Sequence, residues 1–236
     1  MAVIHLVRHG QASFGKLNYD TLSTLGVQQS RFVGAALSGR GIIPDVVVTG
    51  EMRRHRQTAT ELMEGAGWTC PVVVNPGWNE FDHQSVISKY RPAYRNPVVM
   101  AADLVRTLRP REAFQEMFEL ATDLWIESDI GYPETFAKFG DRVTEALETT
   151  TAMAGKSSPR PDSSRGVNIV VVTSAGPISW VASQLFGAGP DSWRRINRTA
   201  VNTGVTKIVV GERGKSLISL NEHTHLERHP NLITYR

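Results

Sequence analysis

The sequence has little of what marks several large classes of protein. It holds one cysteine, Cys70, among 236 residues. A lone thiol cannot close an internal disulfide or build a multi-thiolate metal site, so a reducing, cytoplasmic compartment is the simplest expectation. No apolar run approaches the roughly 18 residues that a membrane helix needs. The opening stretch, MAVIHLVRHGQ, has no basic segment ahead of its apolar residues and reads as a strand, not a secretory signal. Lysine is scarce, and 26 basic side chains against 23 acidic ones leave a net charge of +3. The dense Lys/Arg run of a duplex-binding face is missing, so nucleic acid is not an expected partner. No histidine pair has zinc spacing with a third ligand nearby, so no metal is expected. There is no internal repeat.

What is present is ordinary globular usage, 41% hydrophobic and 21% charged, in a length that suits one large domain. Ala2 to Val7, Asp45 to Thr49, Cys70 to Val74 and Val167 to Thr173 are short β-branched runs that read as buried strands. Helical patterns lie between or after them: from a cap at Ser23 or Thr24 to Leu37, from Glu51 to Ala66, and from about Gly176 to Phe186. This alternation predicts a three-layer α/β/α sandwich with a mostly parallel central sheet. Val201 to Val210 and Leu217 to Leu220 read as two last strands, and the intervening Gly211-Glu212-Arg213-Gly214 suggests a hairpin. From about 83 to 154 the periodicity is helical throughout, punctuated by the prolines Pro92, Pro97, Pro110 and Pro133. We expect a helical insertion there, with helices over Val98 to Leu108, Pro110 to Glu127 and Pro133 to Met153. The stretch 155–166, GKSSPRPDSSRG, has no apolar residue and reads as a solvated, flexible loop. The whole is expected to be a single domain over 1–236.

Two short segments carry chemistry. Arg8-His9-Gly10 stands at the C-terminal end of the first strand, the edge where open α/β sheets bind ligands. A neutral imidazole there can attack phosphorus, the glycine lets backbone approach substrate, and the arginine neutralises phosphoryl oxygens. The bland reading is a loop histidine held by a backbone hydrogen bond. After the second strand comes Arg53-Arg54-His55-Arg56-Gln57-Thr58-Ala59, in the first turn of a helix. Cations at a helix N-terminus oppose its dipole, an unusual choice unless an anion sits between them. Arg54 is the candidate phosphate clamp; Arg53 and Arg56 read as solvated surface.

Leu6 to Ser13, LVRHGQAS, together with Met-x-Arg-x-x-Gln-Thr-Ala over Met52 to Ala59, resembles the histidine phosphatase superfamily, also called phosphoglycerate-mutase-like. Leu22-Ser23-x-x-Gly26-x-x-Gln29 resembles that family's helix start, and Trp78-Asn79-Glu80-Phe81-Asp82 its loop with an acidic proton donor. Pro133-Glu134-Thr135 with Asp141-Arg142-Val143, and Asn221 with His225-Leu226, resemble later family segments. The resemblance supplies the strand order and implies roles. His9 is the nucleophile that forms a phosphohistidine, Arg8 and Arg54 hold the phosphoryl group, and Glu80 is the acid/base, with Asp82 as its rival. Gln11 and Ser13 lie in the same loop and can donate to phosphate or simply cap it. Arg91 and Arg95 follow the Glu80 loop and are the first cations of the insertion expected to meet an acidic substrate. The family's chemistry needs no metal or cofactor. The implied partner is a small phosphorylated substrate or phosphate, and a homodimer is left open.

The sequence departs from the family at one place. The family usually carries a second histidine after the late strand, where this chain has Thr173-Ser174-Ala175-Gly176. Three readings stand. Ser174 binds phosphate in its place; a histidine from elsewhere (His225, His223 or His83) substitutes; or the protein binds phosphorylated ligands with little turnover. His55 stands where the family often has alanine and is expected to line the helix face. A mutase-like sequence after the acid would read E-R-H-Y-G, but here it is Glu80-Phe81-Asp82-His83-Gln84, which favours a phosphatase over a phosphoglycerate mutase.

Overall fold

The computed structural model describes residues 1–13, 20–128, 130–156 and 166–235. Its first strand, β1 (Ala2–Arg8), lies between β4 (Val167–Thr173), which runs parallel to it, and β5 (Val205–Gly211), which runs antiparallel. With β2 (Val46–Thr49), β3 (Val72–Val74) and β6 (Gly214–Glu222), the described residues form one mixed sheet of six strands in the order β3-β2-β4-β1-β5-β6. β1, β2, β3 and β4 are mutually parallel, with Val7 beside Val172 and Val48 beside Val171. Their C-terminal ends therefore share one edge of the sheet.

Both faces of the central strands are buried, which is why their sequences read as unbroken apolar runs and not as alternation. On one face Val7, Val47, Val170, Val172 and Val205 pack with Val33, Leu37, Ala59 and Leu62 of two helices, α1 (Thr24–Gly39) and α2 (Arg53–Ala66). The alternate residues Ile4, Leu6, Val48, Ile169 and Val171 point the other way and are equally buried. Contacts of α7 (Ala175–Leu185) with β1 and β6 bring a helix to the sheet beyond α1 and α2. Ser23 caps α1, its side chain accepting from the Gly26 N–H at 3.0 Å, as expected of a serine at that position. α1 and α2 pack at backbone distance. A Cβ on Gly34 would strike the Leu62 carbonyl, and one on Gly65 would strike the Arg31 carbonyl.

The chain divides into two compact units, Met1–Glu80 with Arg142–Arg236, and Phe81–Asp141. The second unit holds α3 (His83–Tyr90), α4 (Pro97–Arg106) and α5 (Pro110–Glu127). Ile87, Tyr94 and Met117 form its core with Phe114 and Phe118, and Phe81 stacks on Trp125 at 4.5 Å. Helix α6 (Phe136–Lys156) begins in this unit and ends in the first. It extends past the start of the expected loop; residues 157–165 of that loop lie outside the described residues. Two helices lie outside the helix spans read from the sequence. One is the short α3, which falls within the stretch of helical periodicity; the other is α8 (Pro190–Thr199), which had no signal because its polar surface hides the single buried anchor Trp193. Among the described residues no helix is long and apolar enough to cross a membrane.

His5 sits inside β1, 3% exposed, and burial with the nearby Lys207 lowers its pKa to about 4. The folded chain thus refuses a proton that the unfolded chain accepts below pH 6.5. Stability is intact above that pH and declines as the pH falls toward 4. Going from pH 7.5 to 5 should cost about 2 kcal/mol through this residue, read as a shift in the urea midpoint. His5→Leu should reduce the loss over this interval by about that amount, leaving the share of the other buried histidines, and an unchanged slope in the variant would refute the assignment.

Candidate active site

His9 leaves β1 at the shared edge, and its backbone is fixed on both sides. Its N–H donates to the Thr173 carbonyl at 2.8 Å. Its own carbonyl accepts from the Asn202 side-chain amide at 3.0 Å and the Thr203 N–H at 3.4 Å. Thr203 adopts φ +61°, a left-handed conformation that costs a β-branched residue of order 1–3 kcal/mol, so the surrounding contacts hold it there. The ring is 2.8 Å from the Gly10 carbonyl through Nδ1. A carbonyl only accepts, so Nδ1 carries the proton and Nε2 keeps its lone pair. Burial, then the charges of Arg54 and Arg8 and the neighbouring His55, hold the pKa well below 6.5. The imidazole is therefore neutral, as a nucleophile must be.

The loop after β1 is pressed against the start of α1. A Cβ on Gly10 would strike the Gly26 carbonyl, and a Cβ on Gly26 would strike the Gln11 carbonyl. Gln29 closes this corner. Its Oε1 accepts from the Gln11 N–H at 2.8 Å, and its Nε2 donates to the Leu232 carbonyl at 2.7 Å. These contacts account for the Leu-Ser-x-x-Gly-x-x-Gln pattern. The Arg-x-x-Gln-Thr-Ala pattern works the same way. Gln57 accepts from the Leu22 N–H at 2.8 Å, and Thr58 Oγ1 accepts from the Gly10 N–H at 3.0 Å.

Arg54, 4% exposed, stands in the first turn of α2. Its Nη1 pairs with Asp20 at 2.9 Å, and the same carboxylate accepts from the Arg53 N–H at 2.8 Å. Asp20 thus serves as the α2 cap that Met52 cannot provide; nothing in the sequence pattern singled it out. The Arg54 Nε has no hydrogen-bond partner among the described residues, although it is buried. A buried guanidinium N–H left open near a neutral imidazole is what an anion would satisfy. Arg53 and Arg56 are exposed, as expected. Arg8 takes a structural role as well: its Nη1 donates to the carbonyls of Ala200 and Tyr235, fastening the C-terminal segment.

Glu80 is placed by its neighbours. Arg142 Nη1 donates to the carbonyls of Gly77 and Asn79, both at 2.9 Å, and the Asn79 side chain accepts from the Glu51 N–H at 2.7 Å. The Glu80 carboxylate accepts from the Gly176 N–H at 3.1 Å, at the N-terminus of α7. Trp193 of α8 holds the other side of that turn, its Nε1 donating to the Gly176 carbonyl at 3.0 Å. Asp82 instead caps α3 in the second unit, accepting from the N–H groups of Gln84 and Ser85.

The remaining candidates separate. Ser13 donates to the Leu22 carbonyl at 3.1 Å, and the Gln11 side chain accepts from Ser23 at 2.9 Å, so both brace the loop. His225 meets Thr203 Oγ1 at 3.0 Å and is held near pKa 4, chiefly by burial. Arg91 and Arg95 belong to the second unit, where Arg91 lies against Tyr94. His83 packs edge-on to Phe81 in that unit, and His223 faces the Asn221 carbonyl. Ser174, fully buried, occupies the N-cap position of α7, yet its side chain does not cap the helix. Its Oγ lies 2.7 Å from Nε2 of His55. His55 corrects the expectation of a helix-face residue: it is fully buried, with its ring centroid 5.6 Å from that of His9. The signal available in the sequence was its position directly after Arg54.

With this geometry in place the comparisons are direct. The sequence pattern of the histidine phosphatase superfamily (branch 1) matches residues 4–93 and 105–223. The chain belongs to the histidine phosphatase superfamily. It is 27% identical over 165 residues to a Serratia proteamaculans (strain 568) protein named probable phosphoglycerate mutase GpmB, covering 67% of each chain. The fold is that of phosphoserine phosphatase from Entamoeba histolytica in complex with 3-phosphoglyceric acid (TM-score 0.62, 16% identity, 96% of this chain and 100% of that one). It is also that of phosphoglycerate mutase from Bacillus anthracis str. Sterne (TM-score 0.62, 15% identity, 95% of each chain). Proteins named as a phosphatase and as a mutase thus share this fold.

The corner between Gly10 and Gly26 generates a prediction. Gly26→Ala forces a methyl against Gln11 backbone, not against a flexible side chain, so the loop bearing His9 must shift. We expect a loss of about 1–3 kcal/mol in stability, measured by thermal or urea unfolding. Unchanged stability would mean that the two segments are not in backbone contact.

Proposed function

We propose that this superfamily member is a phosphohydrolase that cleaves small phosphomonoesters through a phosphohistidine at His9. The observation that carries the reading is the neutral His9 imidazole, its Nδ1–H spent on Gly10, beside the buried and open Nε of Arg54. In the first step the Nε2 lone pair of His9 attacks phosphorus. The ester P–O bond breaks, and Glu80 in its acid form gives its proton to the leaving oxygen. In the second step the Glu80 carboxylate takes a proton from water as that water attacks phosphorus. The P–N bond breaks, releasing phosphate and restoring His9. Arg54, with Arg8 nearby, offsets the charge on the phosphoryl oxygens throughout. The phosphorylated ligand is the partner, and no cofactor enters.

The curated relative named as a mutase supports a second reading, in which the phosphoryl group passes to another hydroxyl instead of water. The Phe81 that follows Glu80 is buried in an aromatic stack with Trp125, where the mutase-like pattern would carry a basic residue. This favours hydrolysis.

The test is hydrolysis of p-nitrophenyl phosphate from acid to neutral pH, with a metal chelator present. His9→Ala should abolish turnover. Glu80→Gln should lower kcat by about 10²–10⁴-fold, the usual worth of a positioned acid–base group. Because His9 stays neutral well below pH 6.5, activity should persist below that pH and not fall off with an ordinary histidine titration. Equal rates in wild type and His9→Ala would overturn the mechanism. Phosphohistidine formation without turnover would point to a phospho-ligand-binding protein.

A further inference from the structure

The family position of the second histidine is Ser174, a neutral side chain where an imidazole is usual. A histidine nevertheless sits beside His9. His55 reaches it from the first turn of α2, one residue past the phosphate-clamp candidate Arg54. Three features tie His55 to Ser174. Its Nε2 is 2.7 Å from Ser174 Oγ, and both residues are fully buried. Ser174 is an N-cap residue, but it leaves the capping role unfilled and sets its Oγ against His55 instead. Gly50, at the end of β2, has no Cβ where one would collide with Nδ1 of His55 and come within 3.0 Å of its Cε1, so the backbone makes room for the ring.

We propose that His55 and Ser174 together replace the missing second histidine: His55 is a positioning residue whose Nε2–H donates to Ser174 Oγ, leaving the serine proton free to donate to a phosphoryl oxygen on His9. This rests on the phosphoryl-transfer reading given above. A hydroxyl has one proton and two acceptor sites. If it donates to His55, it offers only lone pairs to the phosphoryl group, which repel. If His55 is the donor, the hydroxyl proton is committed outward and polarised by the bond behind it. No covalent bond changes and no proton leaves either residue; the pair supplies one directed hydrogen bond. The Nδ1 of His55 has no partner among the described residues, so no second contact competes for the tautomer with hydrogen on Nε2. The arrangement moves the ring from the α7 start to the α2 start while keeping a donor at the same place.

The experiment is calorimetric titration of the full chain with orthovanadate at pH 7. Wild type, Arg54→Ala, Ser174→Ala, His55→Phe, His55→Gln and the double variant His55→Phe/Ser174→Ala are compared. Phenylalanine keeps the ring's shape without its N–H; glutamine keeps an N–H near the Nε2 position. We expect Ser174→Ala and His55→Phe each to weaken vanadate about 10–100-fold, the range of one directed hydrogen bond. The double variant should bind like Ser174→Ala, and His55→Gln should stay within about threefold of wild type. Losses that multiply in the double variant, or wild-type binding by His55→Phe, would overturn the proposal. If His55→Phe does not fold, ¹⁵N-histidine NMR of the unaltered protein decides. Hydrogen on Nε2 of His55 with vanadate bound supports the relay, and hydrogen on Nδ1 with Nε2 bare overturns it. Arg54→Ala separates the two levels of argument. If it binds as wild type does, or if wild type binds no vanadate, the phosphoryl-site reading itself fails, and the relay fails with it.

Discussion

A neutral imidazole held beside two guanidinium groups is the constraint on which the rest of the site depends. Left in water, His9 would share its lone pair with a proton over much of the physiological range. Here burial and the charges of Arg54 and Arg8 make protonation unfavourable, while the Gly10 carbonyl accepts the Nδ1 hydrogen and leaves Nε2 bare. The same cations that repel a proton attract a phosphoryl group. On the phosphohistidine reading proposed above, one electrostatic arrangement would prepare the nucleophile and bind its target. Its cost is a cluster of buried positive charge, relieved in part by Asp20 at 2.9 Å from Arg54. The open Arg54 Nε is what remains unrelieved.

Holding such a cluster needs rigid backbone, and the fold supplies it by close approach and not by long side chains. Gly10 against Gly26, and Gly34 and Gly65 between α1 and α2, remove the Cβ atoms that would keep those segments apart. Backbone groups then do the tethering: His9 to Thr173, Gly10 to Thr58, Gln11 to Gln29, Glu80 to Gly176. The strained Thr203 belongs to this set, since its N–H bonds the carbonyls of both Arg8 and His9. Strain at that point is compatible with stability because Thr203 is tied to the end of β1 and leads directly into β5, both inner strands of the sheet.

Much of this was legible in the sequence, for definable reasons. The central strands announce themselves because burial on both faces demands continuous β-branched runs. The Arg-His-Gly and Arg-x-x-Gln-Thr-Ala segments are local, and each maps onto one strand end or one helix turn. Glu80 is preferred over Asp82 by motif position alone; in the structure Asp82 caps α3, while the Glu80 carboxylate accepts from the Gly176 N–H. What escaped was either non-local or disguised. Asp20 lies 34 residues from Arg54, and no periodicity links them. Asn202 supports His9 across 193 residues. α8 is disguised by a polar surface around one tryptophan. His55 stands where the family often has alanine and reads as a helix-face residue, and only the fold reveals that its ring meets the serine that follows β4.

That last case bears on how such a site tolerates change. The edge that carries His9 is assembled from the ends of β1, β2 and β4 and the starts of α2 and α7, five segments that converge from distant parts of the chain. A group contributed by one of them has neighbours from the others within hydrogen-bond reach. Under the relay proposed above, a serine in place of an imidazole at the start of α7 would remove a donor from a position and not from the site, because His55 of α2 lies beside both Ser174 and His9. What decides whether the loss can be made good is backbone room, and Gly50 provides it where a Cβ would exclude the ring. The substitution at Ser174 therefore has to be judged together with Gly50 and His55, residues that no inspection of the serine's own segment would connect to it.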